Sequence, residues 1–155
     1  MRGFRTALLS LALIGCVRAD TVGEVSTAFI LIGANHKVVV AAYDDPKVQG
    51  VTCYVSRAKT GGVMGAIGLA EDKSEASIAC RQVGPIVFTG KKIENQEEMF
   101  NERISVVFKK LRVVRMLDRK RNVLVYLTYS DRLIDGSPQN SVTAVALGSV
   151  ALPPQ

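Results

Sequence analysis

The side chains of this chain with chemistry to offer are three cysteines, one histidine, two adjacent aspartates and a scatter of arginine and lysine. Cys53 and Cys80 make an even pair once Cys16 is set aside, and an oxidising compartment would join them. The bridge would close the loop from residue 53 to residue 80 and add about 3–4 kcal/mol on the chain-entropy account. A redox-active thiol usually shows a second cysteine three positions on, as in C-x-x-C, or a histidine nearby, and the sequence supplies neither. His36 could serve as a general base or a titrating switch, and a small hydrolase or isomerase would have to pair it with Asp44 or Asp45. Adjacent carboxylates point to opposite faces of a strand. In a turn they could converge on a hard cation, which would need several more oxygens. Asp44-Asp45-Pro46 is a turn former, so the aspartates read as structural and His36 as a loop residue. No metal site is expected.

Ser56, Arg57, Lys59, Thr60, Gly61 and Gly62 combine cations, hydroxyls and flexible backbone, the makings of an anion-binding nest. They are the candidate ligand-binding residues, although the glycine that a nucleotide-binding phosphate loop requires before the lysine is missing. A second basic feature comprises Lys109, Lys110, Arg112, Arg115, Arg119, Lys120 and Arg121. Arg119, Lys120 and Arg121 would sit at a hairpin tip and could meet an anionic membrane surface. The simpler reading, a solvated hairpin whose edge charges resist aggregation, is the one preferred. Nucleic acid is not expected as a partner, because few aromatic residues and no Trp accompany the cations. No hydrolase elbow, zinc-protease motif or Cys/His dyad is present, and no cofactor is implied.

These groups must be positioned by a chain with an address. Arg2 and Arg5 precede an apolar run from Ala7 to Ile14, and Val17-Arg18-Ala19 offers small residues before Asp20. Residues 1–19 therefore read as a secretory signal peptide cut after Ala19, leaving 20–155 as one periplasmic domain. Leu13-Ile14-Gly15-Cys16 offers a competing route, in which Cys16 is lipidated and anchors the protein. The formal charge of +6 falls to +3 when Arg2, Arg5 and Arg18 depart. No uncharged apolar run reaches the ~20 residues of a spanning helix.

Periodicity predicts a mainly β (α+β) fold: one antiparallel domain with a single short helix. Lys37–Tyr43 and Val51–Ser56 read as a hairpin around the Asp-Asp-Pro turn. Leu111–Leu117 and Val123–Tyr129 form a second around Asp118–Asn122. Val142–Leu147 reads as a last strand. Asp72-Lys73-Ser74-Glu75 resembles a helix N-cap and predicts a helix through Cys80 to Gln82, broken at Val83-Gly84-Pro85. Lys91–Arg103 is polar without a period and reads as an exposed connection.

Longer runs resemble a known family. They are Val51-Thr52-Cys53-Tyr54-Val55-Ser56-Arg57-Ala58-Lys59-Thr60-Gly61-Gly62, Cys80-Arg81-Gln82-Val83-Gly84-Pro85 and Tyr129-Ser130-Asp131 with Gly136-Ser137-Pro138. They are similar to the bacterial CreA (catabolite regulation protein A) family of small exported proteins. The resemblance implies the envelope address and no defined activity, so it transfers no catalytic position. The functional expectation is a non-enzymatic module that binds an envelope protein or a small ligand. The intact mass of protein taken from its native envelope without reductant should begin at Asp20 and lack the two thiol hydrogens of a bridge. A mass beginning at Cys16 with acyl chains would replace the soluble form with a lipoprotein.

Overall fold

A computed structural model describes residues 19–27, 36–59, 76–103, 110–131 and 139–154. Eight strands run in chain order: β1 (Asp20–Ser26), β2 (Lys37–Asp44), β3 (Val48–Lys59), β4 (Ala76–Phe88), β5 (Gln96–Arg103), β6 (Lys110–Asp118), β7 (Val123–Ser130) and β8 (Asn140–Ala146). They form two antiparallel sheets of four, ordered β1-β2-β3-β4 and β5-β6-β7-β8. The two expected hairpins are present, with Asp44 opposite Thr52 and Asp118 opposite Val123.

Alternation decides which residues meet between the sheets. Val39, Ala41 and Tyr43 of β2, Val55 and Cys53 of β3, and Ile78 and Cys80 of β4 line the inner face of the first sheet. Phe100, Leu111, Val113, Leu124 and Val145 line the inner face of the second, and all of these except Val39 belong to one core. The edges of β4 and β8 meet through side chains. Ser141 and Thr143 hydroxyls of β8 accept from the Ile78 and Cys80 backbone N–H groups of β4.

The expected helix through Cys80 is a strand. Residues two apart on a helix are turned by about 200°, so Ile78 and Cys80 could not both enter the core from one. On β4 they do, and Cys80 lies directly opposite Cys53, to which it is bonded. The capping residues Asp72–Glu75 lie outside the described residues. Nor does Gly84-Pro85 end the element: β4 continues to Phe88 through a bulge, where proline's missing donor is tolerated. Gly50, at φ +79°, permits it. A Cβ there would stand 2.3 Å from the Pro85 carbonyl oxygen.

The polar stretch expected as a connection contains β5. A bulge between Glu98 and Phe100 lets consecutive residues Met99 and Phe100 both be buried, which erases the period-two signal.

Candidate functional site

Along β6, Leu111, Val113 and Arg115 share the inward parity, so an arginine enters the core in line with apolar neighbours. Its side chain has no exposure. Arg115 stands opposite Glu97 of β5 and Tyr126 of β7, and Tyr126 stands opposite Thr143 of β8. One inward row of the second sheet is therefore polar from edge to edge.

Asp45, in the β2–β3 turn of the other sheet, completes that row. Arg115 Nη1 donates to both Asp45 carboxylate oxygens at 2.8 Å, and the Tyr126 hydroxyl donates to Oδ2 at 2.8 Å. Backbone N–H groups of Lys47 and Val48 donate to Asp45 Oδ1 at 2.8 and 3.0 Å, so the same carboxylate shapes the turn. Arg115 Nη2 donates to Glu97 Oε2 at 2.7 Å, and Lys47 Nζ pairs with Glu97 Oε1. Burial, then the Asp45 charge, push the Tyr126 phenol well above its ordinary range, which keeps it protonated as a donor.

A second polar contact joins the sheets with the charges reversed. Arg57 of β3 pairs with Glu102 of β5, and Tyr43 donates to the other Glu102 oxygen at 2.9 Å. The Tyr43 ring also packs on Phe100, with centroids 3.8 Å apart. Burial first, then Glu102, raise the Tyr43 phenol in the same sense as Tyr126.

The first network opens onto the surface through Lys47. Beside it lies an open groove of about 370 Å³ lined by Lys47, Lys92, Ile93, Glu94 and Asn95. Ile93 belongs to the core and anchors the groove floor. Arg119 donates from Nε to Asn95 Oδ1 at 2.9 Å and from Nη1 to the Pro153 carbonyl at 2.9 Å, tying the hairpin tip to the groove wall.

The residues singled out in sequence fare differently. Arg57 is 8% exposed and faces the core, so its guanidinium is committed to Glu102 and not to a surface nest. Ser56 and Lys59 are half-buried, and Thr60, Gly61, Gly62 and Cys16 lie outside the described residues. His36 immediately precedes β2 and Asp44 closes its far end, roughly 26 Å away at strand rise, so the pair cannot share a substrate. The His36 carbonyl accepts from Thr27. Asp44 accepts from the Thr52 hydroxyl, and Asp45 is consumed by Arg115 and Tyr126. Among the described residues, no group of three or more His, Cys, Asp or Glu is placed to hold a metal.

The basic cluster also divides. Arg115 is fully buried, Arg112 bonds Glu98 and Asp131, and Arg121 bonds Asp118. Burial alone would raise Glu98, but hydrogen bonds from Arg112 and Asn101 outweigh it and hold its carboxyl below the usual range. Lys120 is exposed at the hairpin tip. Sequence reasoning missed Glu97, Glu102, Tyr126 and Lys92 as site residues. The inward parity of Arg115 among Leu111, Val113 and Leu117 was the signal available.

Comparison with known proteins covers most of the chain. The family described as "CreA protein" matches residues 22–150. The chain belongs to the CreA family. It is 54% identical over 142 residues to Protein CreA of Escherichia coli strain K12, spanning 88% of this chain and 90% of that one. Protein CreA of Escherichia coli O157:H7 matches to the same extent. No solved structure matches the chain.

Two measurements test the network. Asp45→Asn and Arg115→Met are each expected to cost about 3–5 kcal/mol in urea unfolding, because each strands a buried partner. The double variant should cost less than the sum by about 1–3 kcal/mol, and strict additivity would mean the two do not act as a pair. The raised tyrosines bind protons more tightly folded than unfolded. Their stabilisation is therefore full below about pH 10, the unfolded value, and is lost as pH climbs beyond it. Tyr126→Phe should flatten that alkaline decline, and an unchanged slope between pH 9 and 11 would detach it from Tyr126.

Proposed function

We propose that this CreA-family chain is an exported, non-enzymatic binding module of the cell envelope. It takes a small anionic ligand, or an acidic group on a partner protein, in the groove between the β2–β3 turn and the β4–β5 connection. One observation carries this reading. The groove's Lys47 pairs with Glu97, which is held in turn by Arg115 of the buried Asp45–Arg115 pair. Lys92 supplies an exposed ammonium, Lys47 a second one shared with Glu97, and Asn95 an amide. Glu94 on the same rim repels doubly charged ligands that cannot keep it at a distance, which gives the groove a shape preference as well as a charge preference.

Preformed walls lower the ordering cost of binding, so modest contacts suffice for useful affinity. The basic hairpin serves the groove rather than a membrane in this reading, because Arg119 braces Asn95 and the 153 carbonyl.

Thermal-shift titration with inorganic phosphate and a set of small carboxylates tests it. Saturation at about a hundredfold excess over Kd should stabilise by about 2.7 kcal/mol. Lys92→Ala should abolish the shift and leave the unliganded Tm unchanged. No shift with any anion, or one that survives Lys92→Ala, would sink the proposal.

A further inference from the structure

Two opposite charges of the groove are left unmatched. Lys92 and Glu94 flank the buried Ile93, and both line the groove. Their Cα atoms stand at most about 7 Å apart, the span of two fully extended residues. Yet neither side chain pairs with the other or with any other described residue. The remaining polar groups of the groove are committed. Lys47 is matched by Glu97, and the Asn95 carbonyl oxygen accepts from Arg119. Holding Asn95 by its oxygen leaves the amide nitrogen free to donate. The groove therefore offers one unmatched cation with an amide donor beside it, and one unmatched anion two residues away.

We propose that the ligand of this groove is a small zwitterion, an anionic group and an ammonium a few bonds apart; this rests on the reading of the groove as the ligand site. The anionic end meets the Lys92 ammonium and the Asn95 amide, and the ammonium meets the Glu94 carboxylate. Charge selects that class. A simple anion gains Lys92 but faces Glu94 uncompensated, and a simple amine gains Glu94 but faces Lys92. A zwitterion turns the repulsive contact in each case into an attractive one. Size agrees, because about 370 Å³ lies at the small end of ligand sites. Exposed ion pairs are individually weak, so the second contact should tighten binding about threefold to fivefold.

Amide NMR titration of the oxidised protein tests this with glycine, β-alanine and γ-aminobutyrate, against acetate, propionate and butyrate as probes of anion alone. The best zwitterion should bind about threefold to fivefold tighter than the carboxylate of the same length and shift the Ile93 and Asn95 amides. Glu94→Gln, at an exposed position, should reduce it to the carboxylate's Kd with Tm unchanged. Lys92→Ala should abolish binding of both. Phosphatidylethanolamine vesicles present the same pair of charges. Binding to them that Glu94→Gln removes, without a response to the free zwitterions, upholds the chemistry and makes a lipid headgroup its source. Carboxylates that bind as tightly as the zwitterions overturn this inference and leave the anion-binding reading standing. A zwitterion preference that Glu94→Gln preserves also overturns it. No response to any probe removes both.

Discussion

The fully buried pair between Arg115 and Asp45 is the contact on which the arrangement of the two sheets depends. Each charge would be costly to bury alone, by several kcal/mol after relaxation, so neither can leave the other without leaving an orphan. Asp45 belongs to the first sheet's β2–β3 turn and Arg115 to the middle of the second, and the pair therefore fixes the sheets' relative position. Tyr126 and the Lys47 and Val48 amides complete the Asp45 shell, which makes the turn itself part of the contact.

The second contact strengthens that constraint by reversing it. Here the first sheet supplies the cation, Arg57, and the second the anion, Glu102. A sliding of one sheet that brought unlike partners out of reach would strand Arg115, Asp45 and Arg57 in low dielectric. Apolar packing alone is non-directional and tolerates offsets, so the polar contacts supply registry that the valines and leucines cannot. β5 is the element both contacts share. It contributes Glu97 and Glu102, and the bulge between them lets an otherwise polar strand also deliver Met99 and Phe100 to the core.

The groove, the disulfide and the hairpin tip follow from this frame. Cys53 and Cys80 face each other on neighbouring strands in the core, where the bond joins β3 and β4 beneath the second sheet. The groove's walls come from the turn that Asp45 shapes and the connection that precedes β5, with the Arg119 side chain as a brace.

Family membership, the cysteine pair and both hairpins were legible in the residues, because long distinctive runs, an even cysteine count and turn chemistry are local signals. Two elements were not. Cys80 sits in a stretch with a helix-like cap upstream, and only its pairing opposite Cys53 makes β4 a strand. Lys91–Arg103 lacks periodicity, because Glu97, Glu98 and Glu102 are matched to arginines 14 to 45 positions away and a bulge breaks its alternation. The same distance hides function. Arg57 and Arg115 look like surface cations in any window of neighbouring residues, yet both lie in the core. The sequence by itself determined the family, the strand-rich character and the chance of a bridge. Tertiary structure alone decided which charges are buried, since an ion pair between sheets depends on three-dimensional proximity that no local pattern encodes.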